Sequence, residues 1–212
     1  MAWGVQDSGL DDYSISFQSA LGENLSLSTI LEECATKPGR TSILDLMAST
    51  TAVRQAVVEY GINFGMAVSL GFSRRKHKDV GKKEVCSVNA DITTRESWSK
   101  IRSQMRKNKV PSFDIILSRP IAGLDSRIYL PTLFYMFQEA WQLLTDNEGV
   151  MIFQFPTRLS DSVIEYFKKL NEVGIHVSWG DPDGFEVVRP AVIYKKETSP
   201  RILPSPKMLG IK

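Results

Sequence analysis

The chain has few of the residues that mark secreted, redox or metal-binding proteins. Its 212 residues include two cysteines, Cys34 and Cys86, and two histidines, His77 and His176. Two cysteines so far apart in the sequence predict no disulfide framework and a reducing compartment, which we take to be the cytoplasm. Since no cysteine lies close to a histidine in the sequence, there is no zinc signature, and no metal site is predicted.

Long apolar runs and a strong net charge are missing too. No uninterrupted apolar stretch reaches the roughly 18–20 residues that a membrane span needs, so no membrane association is predicted. The first residues have neither the basic nor the apolar region of a secretory signal. The net charge is +2, with 42% hydrophobic and 24% charged residues. These values are typical of a soluble globular protein and give no global basic field for nucleic acid.

Hydrophobic periodicity divides most of the chain into alternating strands and helices. The predicted strands cover residues 42–46, 65–72, 84–89, 113–117, 150–155, 175–179 and 186–194, and the predicted helices cover 25–35, 52–60, 94–107, 130–144 and 160–173. The last two strands flank a turn at 180–184. The alternation predicts an α/β fold: a mostly parallel seven-stranded sheet with an antiparallel end strand and helices on both faces.

The two ends of the chain differ from this pattern. Residues 1–24 are predicted to be an N-terminal arm or short helix, and residues 25–196 form the α/β domain. Residues 197–212 contain Pro200, Pro204 and Pro206 without any periodicity. They are therefore predicted to be a mobile tail. The sequence does not specify an oligomeric state.

The predicted fold is centred on residues 41–54, with the sequence TSILDLMASTTAVR. An apolar strand containing Asp45 is followed by small residues and then by a helix. A tight turn between a strand and a helix N-terminus offers unpaired backbone amides and a positive dipole end to a ligand. This turn contains no glycine, so side chains narrow the approach to its backbone.

Five segments, in their order along the chain, resemble the motifs of class I S-adenosylmethionine-dependent methyltransferases. They are ILDLMAST, AVSLGFS, VNADITT, FDIILSRP and FQEAWQLLTDNEGVMIFQF. The resemblance extends over about residues 25–196. It implies a Rossmann-like fold, S-adenosylmethionine as cofactor, and methyl transfer to an acceptor that the sequence does not identify. It assigns no catalytic residue, because methyl transfer from a sulfonium depends on alignment and desolvation more than on acid–base groups.

The resemblance also assigns a ligand site at the ends of the first four strands. The implied cofactor-binding residues are Asp45, Met47, Ala48, Ser49, Gly71, Phe72, Asp91, Ile92 and Ser118. Asp45 would orient the turn or meet the methionine end of the cofactor. Asp91 would accept a hydrogen bond from the adenine amino group, and Ile92 would pack on the adenine. Arg119 and Pro120 would contact substrate, Arg119 by binding a carboxylate or phosphate.

Two departures from the family pattern lead to a second hypothesis. The first turn has no glycine, and Gly71 stands where the family commonly has an acid that binds the ribose hydroxyls. A lost hydrogen bond to a charged group costs about 1.5–3 kcal/mol. The alternative is a methyltransferase-like protein that has lost its cofactor and serves as a binding or scaffold protein. In that case Met47 or Phe72 would fill the adenosine space.

Each candidate side chain also has a purely structural interpretation. Asp45 would cap the following helix, and residues 47–49 would form an ordinary turn between strand and helix. Asp91 would belong to a helix N-cap region. Arg119 would be a surface side chain in a turn.

Two clusters of lysine and arginine, at residues 74–83 and 100–109, are the features that point to nucleic acid. Clusters of this kind contact phosphates in nucleic-acid-binding proteins. More often they form a solvated face, and the near-neutral total charge favours that interpretation. Nucleic acid is therefore not the favoured partner.

Overall fold

The computed structural model describes residues 9–39, 41–47, 50–69, 84–119, 130–157, 159–182 and 188–211. The strands are β1 (Ser42–Leu46), β2 (Phe64–Ser69), β3 (Val85–Asn89), β4 (Ile115–Ser118), β5 (Gly149–Pro156), β6 (Val177–Trp179) and β7 (Val188–Lys195). The helices are α1 (Leu10–Leu21), α2 (Leu27–Thr36), α3 (Thr51–Glu59), α4 (Arg95–Asn108), α5 (Leu130–Leu143) and α6 (Asp161–Glu172).

The strands pair into one sheet in the order β3-β2-β1-β4-β5-β7-β6. All pairs from β3 to β5 are parallel, whereas β7 is antiparallel to both β5 and β6. The predicted α/β fold, a mostly parallel seven-stranded sheet with an antiparallel end, is confirmed. The antiparallel strand β7 lies between β5 and β6 and pairs with β5 along its whole length.

Three helices cover each face of the sheet. On one face α4, α5 and α6 pack around a core that includes Trp98 and Phe167, which are 1% and 0% exposed. On the other face α1, α2 and α3 pack around a second core that includes Phe17 and Val53, both 0% exposed. Strands buried on both faces are nearly all apolar, which explains the continuous hydrophobic runs of β1, β4 and β5.

Local sequence signals set the ends of several helices. Ser26 begins α2, since its side-chain oxygen accepts a hydrogen bond from the backbone N–H of Thr29 at 3.1 Å. Lys109 ends α4 in the left-handed conformation, with φ of 55°. Gly174 follows α6 with φ of 85°, a conformation that glycine adopts without a steric penalty.

α1 occupies the segment predicted as an arm or short helix. Its buried residues are Leu10, Tyr13, Phe17 and Ala20. Their spacing of three and four residues gives one apolar stripe, which packs on the sheet face covered by α2 and α3. The helix is thus part of the second core.

The C-terminal segment differs from the sequence expectation of a mobile tail, because residues 197–211 pack against the domain. Leu203 and Ile211 are 1% and 7% exposed and belong to the core around α5 and α6. The indole Nε1 of Trp141 donates a hydrogen bond to the carbonyl oxygen of Pro200 at 2.8 Å. Isolated apolar residues anchor this segment, and such anchors leave no periodic pattern in the sequence.

None of the helices in the described part of the chain is long and apolar enough to cross a membrane. The two cysteines are free thiols, Cys34 buried and Cys86 partly buried.

The packing of the C-terminal segment can be tested with two neighbouring residues. Leu203→Ala is expected to lower the free energy of unfolding by about 2–3 kcal/mol, because it leaves a cavity in the core. Ile202 is 65% exposed, so Ile202→Ala should change it by no more than about 0.5 kcal/mol. Urea denaturation of both variants provides the measurement, and equal small effects would show that the segment does not pack.

Candidate functional site

A crevice is expected where the chain leaves β1 and β4 at the same edge of the sheet. β1 lies between β2 and β4 in the sheet. The chain passes from β1 through α3 to β2 and enters β4 from α4. α3 and α4 cover opposite faces, and ligands of open α/β sheets bind outside the strand ends at such a switch point. Leu46 pairs with Ser118 in the parallel register. Met47 and Arg119, the next residues, therefore lie side by side at this edge.

The turn after β1 begins with a backbone conformation that favours glycine. Met47 has φ of 69°, although its Cβ disfavours positive φ. For a residue with a Cβ this conformation costs roughly 1–2 kcal/mol. The Met47 side chain is partly buried and packs on the core around α4 and α5. Met47 thus has a backbone conformation that glycine adopts without a steric cost.

Asp45 is a fully buried acid just before this turn. It is 0% exposed, and its Oδ2 accepts a hydrogen bond from the Tyr13 hydroxyl at 2.7 Å. Its Oδ1 is buried and has no hydrogen-bond partner among the residues that the structure describes. The N-cap residue of α3 is Thr50, so the structural role expected for Asp45, capping that helix, belongs to another position.

Burial dominates the electrostatics around Asp45. It raises the pKa of the Asp45 carboxyl well above the ordinary value, while the Tyr13 hydrogen bond and the charge of Arg119 lower it. Burial, followed by the charge of Asp45, also raises the pKa of Tyr13. The raised pKa of Tyr13 keeps its hydroxyl protonated, so that it can donate this hydrogen bond to Asp45.

Asp91 and Ile92 follow β3 at the same edge of the sheet. Asp91 is exposed, and its Oδ1 accepts hydrogen bonds from the backbone N–H of Thr93 at 2.9 Å and from its hydroxyl at 2.7 Å. Ile92 is 1% exposed, and its carbonyl oxygen accepts a hydrogen bond from Nε1 of Trp98 at 2.8 Å. The Asp91 contacts fit the structural interpretation of a turn that leads into α4. The Ile92 side chain lies in the core.

Ser118 and Arg119 lie at the end of β4. Ser118 is 0% exposed, and within the described ranges its hydroxyl has no hydrogen-bond partner. Nε of Arg119 donates a hydrogen bond to the Ser16 hydroxyl at 2.7 Å, and the central guanidinium carbon lies 5.7 Å from the centroid of the Tyr13 ring. The side chain predicted to bind a substrate anion therefore contacts α1.

The other residues predicted for the site lie outside the described residues. They are Ala48, Ser49, Gly71, Phe72 and Pro120. Their roles stay predictions, as does the contribution of the basic cluster at 74–83.

The second basic cluster follows the exposed side of α4. Lys100 forms an ion pair with Glu96 at 2.8 Å, and Arg102 forms one with Glu139 of α5. These pairs use part of the positive charge within the protein. They favour a solvated face over a phosphate-binding surface.

Tyr13 is the site residue that the sequence interpretation missed. Its spacing with Leu10, Phe17 and Ala20 could have predicted a buried helix in this segment. No sequence signal predicts its hydrogen bond to Asp45, because 32 positions separate the two residues.

A cavity of about 460 Å³ lies at the opposite edge of the sheet. Its apolar lining includes Ile30 and Cys34 of α2, Ile115 of β4, Val150 of β5 and Tyr194 of β7. These residues lie at the starts of β4 and β5 and near the end of antiparallel β7, away from the edge with Met47 and Arg119. The cavity is therefore distinct from the crevice at the switch point.

Comparison with protein-family models gives no match for this chain. Comparison with curated proteins gives none either.

Solved structures do resemble the chain. One is the complex between the Haloferax volcanii Trm112 methyltransferase activator and a candidate methyltransferase, with 11% identity over 78% of this chain and 87% of that one and a TM-score of 0.51. Another is CalS10 with bound S-adenosylmethionine, an amino pentose methyltransferase from Micromonospora echinaspora. It is 11% identical over 80% of this chain and 89% of its own length, with a TM-score of 0.50. A candidate hemolysin from Lactococcus lactis is 11% identical over 81% of this chain and 86% of its own length, also with a TM-score of 0.50.

These likenesses show the fold. The chain has the Rossmann-like fold of class I S-adenosylmethionine-dependent methyltransferases. The chain spans about half the length of some matched proteins, such as 47% of a candidate methyltransferase from Streptococcus mutans. Since one fold can support unrelated activities, function has to be argued from the crevice itself.

The strain at Met47 predicts an unusual order of stability between two variants. Met47→Gly is expected to be more stable than Met47→Ala by about 1 kcal/mol, because only glycine removes the steric cost of positive φ. Thermal or urea denaturation measures the difference.

A matched pair at Val58, which is 54% exposed in α3, controls for the intrinsic effect of glycine. There the order should reverse, with alanine more stable by about 1 kcal/mol. If alanine were more stable than glycine at position 47 as well as at position 58, this result would contradict the positive φ of Met47.

The buried charge at Asp45 predicts a pH dependence of stability. The folded chain holds the Asp45 proton more tightly than the unfolded chain, so stability is lost as pH rises from the unfolded pKa of about 4 through the raised folded pKa. Asp45→Asn removes this loss. The difference in unfolding free energy, variant minus wild type, should therefore increase as the pH rises from about 4 through the neutral range.

Urea denaturation across this pH range provides the test. The cost of burying the new amide shifts the difference in unfolding free energy equally at every pH. Only the change of this difference with pH reflects the titration of the Asp45 carboxyl group. Parallel curves for Asp45→Asn and wild type would contradict a raised pKa at Asp45.

Proposed function

We propose that the chain binds S-adenosylmethionine in the crevice between β1 and β4 and is a methyltransferase. The observation that carries the proposal is the positive φ of Met47 at the end of β1. A strained backbone conformation persists where its surroundings impose it, and such strain is concentrated at ligand sites. The proposal also draws on CalS10, which has the same fold and contains S-adenosylmethionine.

The residues at the crevice would meet polar groups of this cofactor at several points. The backbone amides of the turn after β1 and the N-terminal end of α3 would meet its amino-acid portion. Asp91 still has a carboxylate oxygen besides the one bonded to Thr93, and this oxygen would accept the adenine amino group. The buried hydroxyl of Ser118 has a hydrogen-bonding capacity that the described residues leave unused. The Met47 Cβ is the main obstacle to close approach.

The proposed mechanism requires position more than acid–base chemistry. When bound, the cofactor would supply an electrophilic methyl group on a sulfonium sulfur. The chain would hold the sulfur, the methyl group and the acceptor atom in line, and the buried strand ends would exclude water. Arg119 contacts α1, so a role in binding an anionic acceptor would require its side chain to turn towards the crevice.

The alternative function is a binding or scaffold protein that has lost the cofactor. Ile92 favours it, because this side chain lies in the core at 1% exposure instead of being offered to an adenine ring. The Met47 side chain, packed at the entrance of the turn, favours it as well. The two functions differ in one measurable property, the binding of an adenosyl ligand.

Titration calorimetry with S-adenosylhomocysteine and S-adenosylmethionine tests the proposal. Wild-type protein is expected to bind either ligand with a dissociation constant below about 1 mM. Asp91→Asn should weaken binding about tenfold, since the amide keeps the acceptor for Thr93 but replaces the second carboxylate oxygen by a donor.

Glu165→Ala provides the matched control, because Glu165 is an exposed acid of α6. It should leave the affinity unchanged. Absence of binding to folded wild-type protein would exclude the methyltransferase and support the scaffold alternative. Equal effects of the two variants would contradict the role of Asp91.

A further inference from the structure

α1 packs on the sheet close to the crevice, and hydrogen bonds anchor both of its ends. At its start, the backbone N–H of Leu10 donates a hydrogen bond to Oε1 of Gln55 in α3 at 2.7 Å. At its end, the Ser178 hydroxyl of β6 donates one to the carbonyl oxygen of Ala20 at 3.0 Å. Between these anchors, Tyr13 of the helix contacts Asp45 of β1, and Ser16 contacts Arg119 after β4.

Tyr13 provides the contact between α1 and β1. It is 1% exposed, and its hydroxyl donates the 2.7 Å hydrogen bond to Oδ2 of Asp45. The ring packs edge-on against Phe17 with 5.5 Å between centroids, which limits its rotation. The hydrogen bond consequently fixes the orientation of the Asp45 carboxylate.

Arg119 provides the contact between α1 and β4. Its Nε bonds to the Ser16 hydroxyl, and its guanidinium group lies near the Tyr13 ring. Both strands that border the crevice are therefore tied to α1, one through a carboxylate and the other through a guanidinium group.

We propose that Tyr13 is a positioning residue of the ligand crevice, an inference that rests on the proposed function. It holds Oδ2 of Asp45 and leaves the buried Oδ1 as an acceptor at the end of β1, two residues before Met47. α1 is thereby part of the site, and ligand affinity depends on a residue of the N-terminal helix that has no contact with the ligand.

The charged and titratable groups around Asp45 give this role a pH signature. Tyr13 faces it from α1 and Arg119 from the end of β4, and both lower the pKa that burial raises. The charge of Asp12, also on α1, raises the pKa of Tyr13. Removing the Tyr13 hydroxyl takes away one of the two lowering influences, so the pKa of Asp45 rises further.

Tyr13→Phe tests the proposal, with Tyr166→Phe as matched control. Tyr166 is also 0% exposed, and its hydroxyl donates one hydrogen bond, to the carbonyl oxygen of Pro204 at 3.2 Å on the other face of the sheet. Calorimetry with S-adenosylhomocysteine should show about tenfold weaker binding for Tyr13→Phe and no change for Tyr166→Phe. Ligand affinity should fall at acid pH as Asp45 takes up a proton. This fall should begin at a higher pH in Tyr13→Phe than in wild type, because the variant has the higher Asp45 pKa.

Hydrogen exchange of the backbone amides at 50–54, measured without ligand, separates this proposal from the proposed function. If wild type binds the ligand and Tyr13→Phe binds it equally well with the same pH profile, Tyr13 is only structural and the inference fails. If wild type binds no ligand, the proposed function fails together with the claim about ligand affinity, and exchange then tests whether Tyr13 holds the start of α3 in place. Faster exchange in Tyr13→Phe alone supports positioning, whereas equal exchange in both variants overturns it.

Discussion

The right-handed sense of the crossover connections is the constraint on which the arrangement around β1 depends. The connection from β1 to β2 through α3 and the connection from β3 to β4 through α4 run in opposite directions along the sheet. With a single handedness, the two helices must cover opposite faces. The ends of β1 and β4 then lie at the point where the strand order reverses, which is where open α/β sheets bind ligands.

Two energetically unfavourable features lie within three residues of each other at the end of β1. Asp45 has a buried carboxyl group with a raised pKa, and Met47 has a positive φ. Neither is needed to build the sheet, since apolar residues and an ordinary turn would serve. Their proximity is the basis of the proposal that a ligand binds at this end of β1. The side chain of Met47 argues that close approach to the backbone is more restricted than in a glycine-rich turn.

The fold was predictable from the sequence because it depends on local periodicity. The apolar residues Ile43, Leu44 and Leu46 of β1 and the apolar stripes of α2, α4 and α6 can be read directly from the sequence. The side-chain contacts of the site were not predictable. The Tyr13–Asp45 hydrogen bond joins distant parts of the chain, and a methionine gives no indication of a positive φ. The buried Leu203 was missed for a related reason, since a single anchoring residue has no period.

The central claim is that the crevice between β1 and β4 binds an adenosyl ligand beside Met47, whose positive φ is typical of glycine. A crystal structure of the protein grown with S-adenosylhomocysteine tests it most directly. The account predicts ligand density between Met47 and Asp91, with Met47 keeping its φ near 69°. An empty crevice, with the Met47 side chain occupying the adenosyl position at saturating ligand, would contradict it.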